Sequence, residues 1–159
     1  MKMRRAEKGD LDEIFQISFE NWPRGETLER HRKGCYSHEN YQKGVWYVLG
    51  TSGALKSVLI LYSFDPKLRG IGTVMTPLDQ RGKGYASELL RQVIEMCDLE
   101  DPVPNLLLFS EIKPSFYERF GFQALPKSFQ KKEGTACMIR FPGGQKGPFA
   151  FPKTIPDPF

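Results

Sequence analysis

No apolar run in this sequence is long enough to cross a bilayer. The longest strongly apolar stretch is Val58 to Tyr62, whereas a spanning helix needs about 20 consecutive apolar residues. No apolar run follows the basic stretch from Met1 to Asp10 either, so no signal peptide is expected. Cysteine is scarce. Cys35, Cys97 and Cys137 are odd in number and far apart, which argues against a disulfide framework and offers no zinc spacing, so no metal is expected. The two histidines, His31 and His38, have no partner at a ligand spacing and are expected on a surface or a helix face. Charge of one sign is not concentrated. The net charge of +4 comes from dispersed basic residues, which is not the footprint of a nucleic-acid binder but suits a polyanionic small ligand. Together these absences lead to the expectation of a cytoplasmic protein with reduced thiols that binds neither membrane nor nucleic acid.

What is present fits one domain. The 159 residues are 40% hydrophobic and 13% aromatic, enough for a real core. Lys2 to Ala6 reads as a first strand. Asp10 opens a helix, with Glu13 three residues on completing a capping-box pattern. Leu11, Ile14, Phe15, Phe19 and Trp22 form its apolar face, and Pro23 and Gly25 end it. A weaker helix runs from Leu28 to Cys35, and His38-Glu39-Asn40 reads as loop. Val45 to Leu49 and Ser57 to Ser63 are strands joined by a hairpin at Thr51-Ser52-Gly53. Asp65-Pro66 and Gly70 mark a turn before a strand at Ile71 to Thr76. Gly84 to Cys97 is the clearest helix, with Ala86, Leu89, Leu90, Val93, Ile94 and Cys97 on one face. Asn105 to Phe109 is a wholly apolar strand of the kind buried on both faces. Pro114 and Gly121 bracket a short helix, and Phe122 to Leu125 and Ala136 to Phe141 are late strands. The order predicts a mixed sheet with helices on both faces. Residues 1–141 are read as the domain, and 142–159 as a tail rich in Pro, Gly and Phe.

The most informative segment joins the strand at Ile71 to Thr76 to the helix beginning at Gly84. Between them lies Arg81-Gly82-Lys83-Gly84-Tyr85-Ala86. The first turn of a helix carries unpaired N–H groups and partial positive charge, and glycines let a ligand approach that backbone, so a pyrophosphate is the natural guest. A P-loop is excluded because Lys83 is followed by Gly84 and not by a hydroxyl residue. A Rossmann fingerprint fails because Ser87 stands where a third glycine or alanine belongs.

The segment resembles motif A of the GNAT superfamily of N-acetyltransferases, Gln/Arg-x-x-Gly-x-Gly/Ala. A second constellation, Leu106-Leu107-Leu108-Phe109 followed by Phe116-Tyr117-Glu118-Arg119-Phe120-Gly121-Phe122, resembles motif B of the same superfamily. The opening, Met3 to Ile14, is similar to the family's first strand and helix, so the likeness runs from residue 2 to about 141. It implies an α/β fold, a GNAT-like acetyl-CoA-binding fold with a central mixed sheet and a splay between two neighbouring parallel strands, those ending at Thr76 and Phe109. It implies acetyl-CoA as co-substrate, with Arg81, Gly82, Lys83, Gly84, Tyr85, Ala86 and Ser87 at the pyrophosphate and the main chain of Val74, Met75 and Thr76 along the pantetheine arm. It implies Tyr117 as the general acid that protonates the departing thiolate; a phenol stays protonated at neutral pH.

The sequence departs from the family pattern at Ser110 and Lys113, where many members carry Asn and Ala. The strand before motif A has no carboxylate, so the general base is unassigned and a chain of waters stands in for it. Glu20, Asp65 and Glu111 read as solvated loop or helix carboxylates. Lys83, more than Arg91, is a candidate for coenzyme phosphates. Residues Trp22 to Tyr41 are where the resemblance places acceptor selectivity. The implied reaction is acetyl transfer to a primary amine, small molecule or peptide, by direct attack. A non-catalytic acyl-CoA-binding or regulatory module on the same scaffold is the alternative. Phe149, Phe151 and Phe159 are costly to leave in water, so the tail is expected to pack on its own domain or on a second copy in a homodimer.

Overall fold

In a computed structural model, residues 1–147 and 151–159 are described; Phe149 lies outside them. The chain divides into two compact units, Met1–Tyr62 with Thr73–Glu95, and Ser63–Gly72 with Met96–Phe159. The elements in chain order are β1 (Met3–Arg5), α1 (Leu11–Asn21), α2 (Leu28–Ser37), α3 (Glu39–Lys43), β2 (Val45–Thr51), β3 (Ala54–Asp65), β4 (Leu68–Met75), α4 (Tyr85–Asp98), β5 (Asn105–Ser110), α5 (Ser115–Glu118), β6 (Gln123–Ala124) and β7 (Ala136–Arg140). The seven strands are ordered β1-β2-β3-β4-β5-β7-β6. Pairing is antiparallel for β1–β2, β2–β3, β5–β7 and β6–β7, and parallel for β4–β5. The expected mixed sheet is therefore present.

In the first unit, β2 and β3 form the hairpin expected at Thr51-Ser52-Gly53, with Gly53 at a φ of +81°. Val48, Val58, Leu59, Ile60, Leu89, Leu90 and Val93 are fully buried there, each such aliphatic side chain contributing about 1.5–3 kcal/mol. The opening of α1 differs from the capping box expected at Asp10 and Glu13. A 3-10 turn at Lys8–Asp10 precedes the helix, and the reciprocal capping pair is Glu7 with Asp10. The Asp10 carboxylate accepts from Arg4 at 2.7 and 3.0 Å, from the Glu7 N–H at 2.7 Å and from Ser52 at 2.6 Å. Glu13 instead accepts from the N–H groups of Gly53 and Leu55 at 2.7 and 2.8 Å. Both carboxylates found stronger donors in the tertiary structure than the helix end offered.

The buried face of α1 is Ile14, Phe15, Ile17 and Ser18, while Trp22 is exposed. His38-Glu39-Asn40 does not form the expected loop: His38 is the N-cap of α3. The ring of Tyr41 packs at 4.6 Å from His38 and 5.2 Å from Trp46, which anchors this short helix.

In the second unit, β4 and β5 pair at Leu68↔Asn105, Arg69↔Leu106 and Gly70↔Leu107. Ile71 and Gly72 continue β4, and Leu108 to Ser110 continue β5, beyond the last of these pairs. Gly70 is not in a turn, as expected, but inside β4. Leu68, Leu107, Leu125, Cys137, Ile139, Phe141 and Ile155 make one apolar cluster, with Phe109, Phe129, Phe151 and Phe159 packed against it. The tail thus contributes a buried aliphatic residue and two rings to this core. Arg140 joins the end of α4 to the motif B loop, through Asp98 at 2.8 and 2.9 Å and the Phe120 carbonyl at 2.8 Å.

Candidate active site

The strand–turn–helix segment lies in the first unit. Val74 and Met75 end β4, Leu78–Gln80 form a 3-10 turn, and α4 begins at Tyr85. Gly82 and Gly84 have φ of +75° and +81°, a backbone that other residues adopt only with strain. A Cβ built at either glycine would meet nothing within 4 Å. Packing does not demand these glycines; the turn geometry does, and it leaves their backbone open to a ligand. The Glu88 N–H bonds the Gly84 carbonyl at 3.0 Å. Tyr85, Ala86 and Ser87 therefore occupy the first turn, the end of the helix that carries partial positive charge. The residues present fit a pyrophosphate.

Positive charge gathers at this turn. Lys83 Nζ and Lys56 Nζ lie 3.2 and 3.4 Å from Gln80 Oε1. Arg81 donates to the Asn21 side-chain oxygen. Arg91, by contrast, is held by Glu88 at 2.7 Å and Glu95 at 2.5 Å on the exposed side of α4.

Two residues that the sequence reading passed over position the strand end. Asn21, the last residue of α1, donates to the carbonyls of Ile17 at 2.9 Å and Thr76 at 3.2 Å, while its oxygen receives Arg81. Ser57 donates to the Met75 carbonyl at 2.9 Å and lies 3.3 Å from the Thr76 hydroxyl. The carbonyls of Met75 and Thr76 are thus already engaged. No local spacing signals Asn21 or Ser57, because their partners are remote in sequence.

Tyr117 lies in the second unit, in α5, and is 7% exposed. Phe116 and Phe122 meet its ring edge-on at 5.0 and 6.0 Å. Burial pushes its hydroxyl up to about 12, because a phenolate is disfavoured in an apolar setting. Ser110 donates to the Ile112 carbonyl at 2.7 Å and accepts the Ile112 N–H at 3.2 Å. Its hydroxyl is closed into a local turn. Gly121, at φ +88°, has no room for a side chain: a Cβ would stand 2.8 Å from Gly144 Cα.

His31 is not on a surface. It is 8% exposed, with Nδ1 3.0 Å from Glu26 Oε1 and Nε2 3.1 Å from Ser18 Oγ. Glu20, Asp65 and Glu111 meet Gln16, the Lys67 N–H and Lys132 at 3.5, 2.7 and 4.0 Å, as solvated carboxylates would. The three cysteines are free and buried. Among the described residues no helix is long and apolar enough to cross a membrane.

A family model described as an acetyltransferase (GNAT) domain matches residues 2–125. The fold is similar to that of the PaiA N-acetyltransferase from Thermoplasma acidophilum in complex with coenzyme A, with 13% identity, a TM-score of 0.65, and 87% of this chain and 96% of that one covered. It is similar to a Mycobacterium tuberculosis protein in complex with CoA, with 14% identity, a TM-score of 0.62, and coverage of 87% and 98%. It is also similar to the ribosomal-protein-S18-alanine N-acetyltransferase from Escherichia coli, with 15% identity, a TM-score of 0.61, and coverage of 87% and 89%. No curated protein matches the chain.

Proposed function

The chain belongs to the GNAT acetyltransferase family, and on that premise we propose that it transfers acetyl from acetyl-CoA to a primary amine by direct attack. The observation that carries this reading is the turn at Gly82 and Gly84. Both glycines hold a left-handed backbone with open space outside it, immediately ahead of a 14-residue helix. The coenzyme supplies the activated acetyl thioester. Backbone N–H groups from Gly82 to Ser87 hold the pyrophosphate, aided by the helix dipole and by Lys83 and Arg81. Asn21 and Ser57 fix the end of β4, so that the remaining main-chain groups of Val74 to Thr76 keep one direction toward the pantetheine arm. Most of the acceleration comes from holding amine and thioester in register.

Tyr117 returns a proton to the leaving sulfur. Its burial keeps the phenol neutral, and the same low-dielectric surroundings raise the proton affinity of a thiolate, which keeps the two groups matched. A thermal-shift titration with acetyl-CoA and a thiol-release assay against spermidine, tyramine, glutamate and an alanyl peptide test the proposal. A rise in melting temperature with turnover of at least one amine is expected. Binding without turnover of any amine would favour the non-catalytic module, and no binding would remove both readings.

A further inference from the structure

A pocket of about 480 Å³ lies wholly in the first unit. That volume falls in the range of roughly 300–1,000 Å³ that small-molecule sites occupy. Its lining comes from the turn between β1 and α1, from α1 itself, from the end of α2, from α3 and from the start of β2. No residue of the Gly82–Gly84 turn, of Val74–Thr76 or of α5 is part of it. The acetyl-transfer reading gives it no use.

Aromatic rings make the apolar wall of this pocket. Phe15 meets Tyr36 edge-on at 4.9 Å, stacks with Tyr41 at 6.0 Å and meets Trp46 edge-on at 6.3 Å. Tyr41 and Trp46 meet edge-on at 5.2 Å. Phe15 and Trp46 are buried, whereas Tyr36 is 43% exposed. The Tyr36 hydroxyl donates to Asp12 at 2.8 Å, and the Gln42 side chain donates to the Tyr36 carbonyl at 2.8 Å. Tyr36 is thus held by both its side chain and its backbone. A wall fixed in advance lowers the ordering cost of binding.

Arg5 and Lys8 line the same pocket and are exposed. Among the described residues neither side chain has a hydrogen bond or an ion pair. The neighbouring Arg4, by contrast, is occupied by Asp10. Glu7 is the one acidic residue of the lining, and its side chain accepts the Asp10 N–H at the helix start. Single surface cations are ordinary; here two uncommitted ones border one aromatic wall. The ring faces alone would accept a cationic guest, but Arg5 and Lys8 would repel it. An anion with an apolar body matches both parts. We propose that this pocket binds an aromatic carboxylate, its rings against Phe15, Tyr36, Tyr41 and Trp46 and its carboxylate at Arg5 and Lys8. A guanidinium fork suits a carboxylate in two parallel hydrogen bonds. The proposal does not depend on the acetyl-transfer reading.

Naphthylacetate, naphthylacetamide and naphthylethylamine test this on the full chain, since they share their rings and differ in carrying an anionic, a neutral or a cationic head. Calorimetric titration gives the affinities. The Trp46 indole N–H resonance, isolated by Trp22→Phe because the chain has two tryptophans, gives the location. Naphthylacetate should bind saturably, one per chain, and move that resonance. Naphthylacetamide should bind about tenfold more weakly, and naphthylethylamine more weakly still. The exposed double change Arg5→Gln with Lys8→Gln should bring the acid down to the affinity of the amide and leave the amide unchanged. Tyr36→Ala should weaken acid and amide alike. Binding of naphthylacetate should persist with coenzyme A saturating the protein. Absence of binding, equal affinity for acid and amide, preference for the amine, or an unmoved Trp46 signal would each overturn the proposal. So would displacement of naphthylacetate by coenzyme A. No turnover is read, so failure here leaves acetyl transfer standing, and failure of acetyl transfer leaves this pocket to be judged by its own titrations.

Discussion

The ring of Phe159 lies over Gly70: a Cβ built on that glycine would stand 2.5 Å from Phe159 Cζ and 2.6 Å from Phe64 Cε2. The Phe159 ring also meets Phe64 at 5.2 Å and Phe109 at 5.3 Å. A strand glycine that marks close approach of another group is a known reason for breaking strand propensity. Gly70→Val should therefore destabilise the protein by about 1–3 kcal/mol through overpacking. The smaller Gly70→Ala change should cost less in a Phe159→Ala background than alone. Melting temperatures of the two single variants and the double variant measure that coupling. Strictly additive losses would separate the two residues.

Gly84 is glycine for its backbone, since a Cβ there would meet nothing within 4 Å. Gly84→Val should cost about 1–2 kcal/mol from the positive φ alone. Its larger effect should fall on the coenzyme, because the new side chain stands where the ligand must approach. The rise in melting temperature that acetyl-CoA gives the parent, about 2.7 kcal/mol of stabilisation at a hundredfold excess over Kd, should vanish. A folded Gly84→Val protein with an undiminished acetyl-CoA shift would remove the turn from the binding site.

Motifs carried by neighbouring residues were legible in the sequence, and relationships across the fold were not. The Gly82–Gly84 turn and the Tyr117 helix each sit within about a dozen residues, so local spacing exposes them. Asn21 and Arg81 are linked only once α1 and the turn are folded together within the first unit. His31 looks isolated along the chain because its partners, Ser18 and Glu26, fall at no ligand spacing. Gly70 reads as a turn residue because its neighbour Phe159 is remote in sequence. Asp10 and Glu13 match a capping box by identity, yet Arg4, Ser52 and the hairpin N–H groups claim their oxygens. A local rule loses where tertiary donors are stronger.

Asp10 makes a specific acid sensitivity. The Arg4 guanidinium, with help from Ser52 and the Glu7 N–H, holds its carboxyl well below the usual carboxylate range, against the opposing effect of burial. Its folded value is depressed, so its contribution is complete above the unfolded carboxylate value of about 3.9 and is lost as pH falls toward the folded one. Chemical denaturation at pH 7 and at successively lower pH should show parent stability falling below about pH 4. Asp10→Ala should cost about 3 kcal/mol at pH 7, since it strands Arg4, the Glu7 N–H and the Ser52 hydroxyl. It should also flatten the acid-side slope. A variant with the parent's slope would assign the acid sensitivity to other carboxylates.

The proton on Tyr117 is protected by the same burial that makes the residue hard to reach. With its hydroxyl raised to about 12 by desolvation, it stays protonated throughout the pH range in which the enzyme can be assayed. A general acid of this kind gives no alkaline limb of its own in kcat. Tyr117→Phe keeps the ring between Phe116 and Phe122 and removes only the donor. Acetyl-CoA affinity should change little, while kcat falls about 10²–10⁴-fold if proton transfer to sulfur is part of the transition state. The test is kcat and the acetyl-CoA dissociation constant for Tyr117→Phe on an amine for which single-turnover kinetics show chemistry to be rate-limiting. Full turnover would exclude Tyr117 as the acid. A large loss of coenzyme affinity would mark its hydroxyl as a binding group instead. An alkaline limb that persists in Tyr117→Phe would place the alkaline-sensitive group elsewhere.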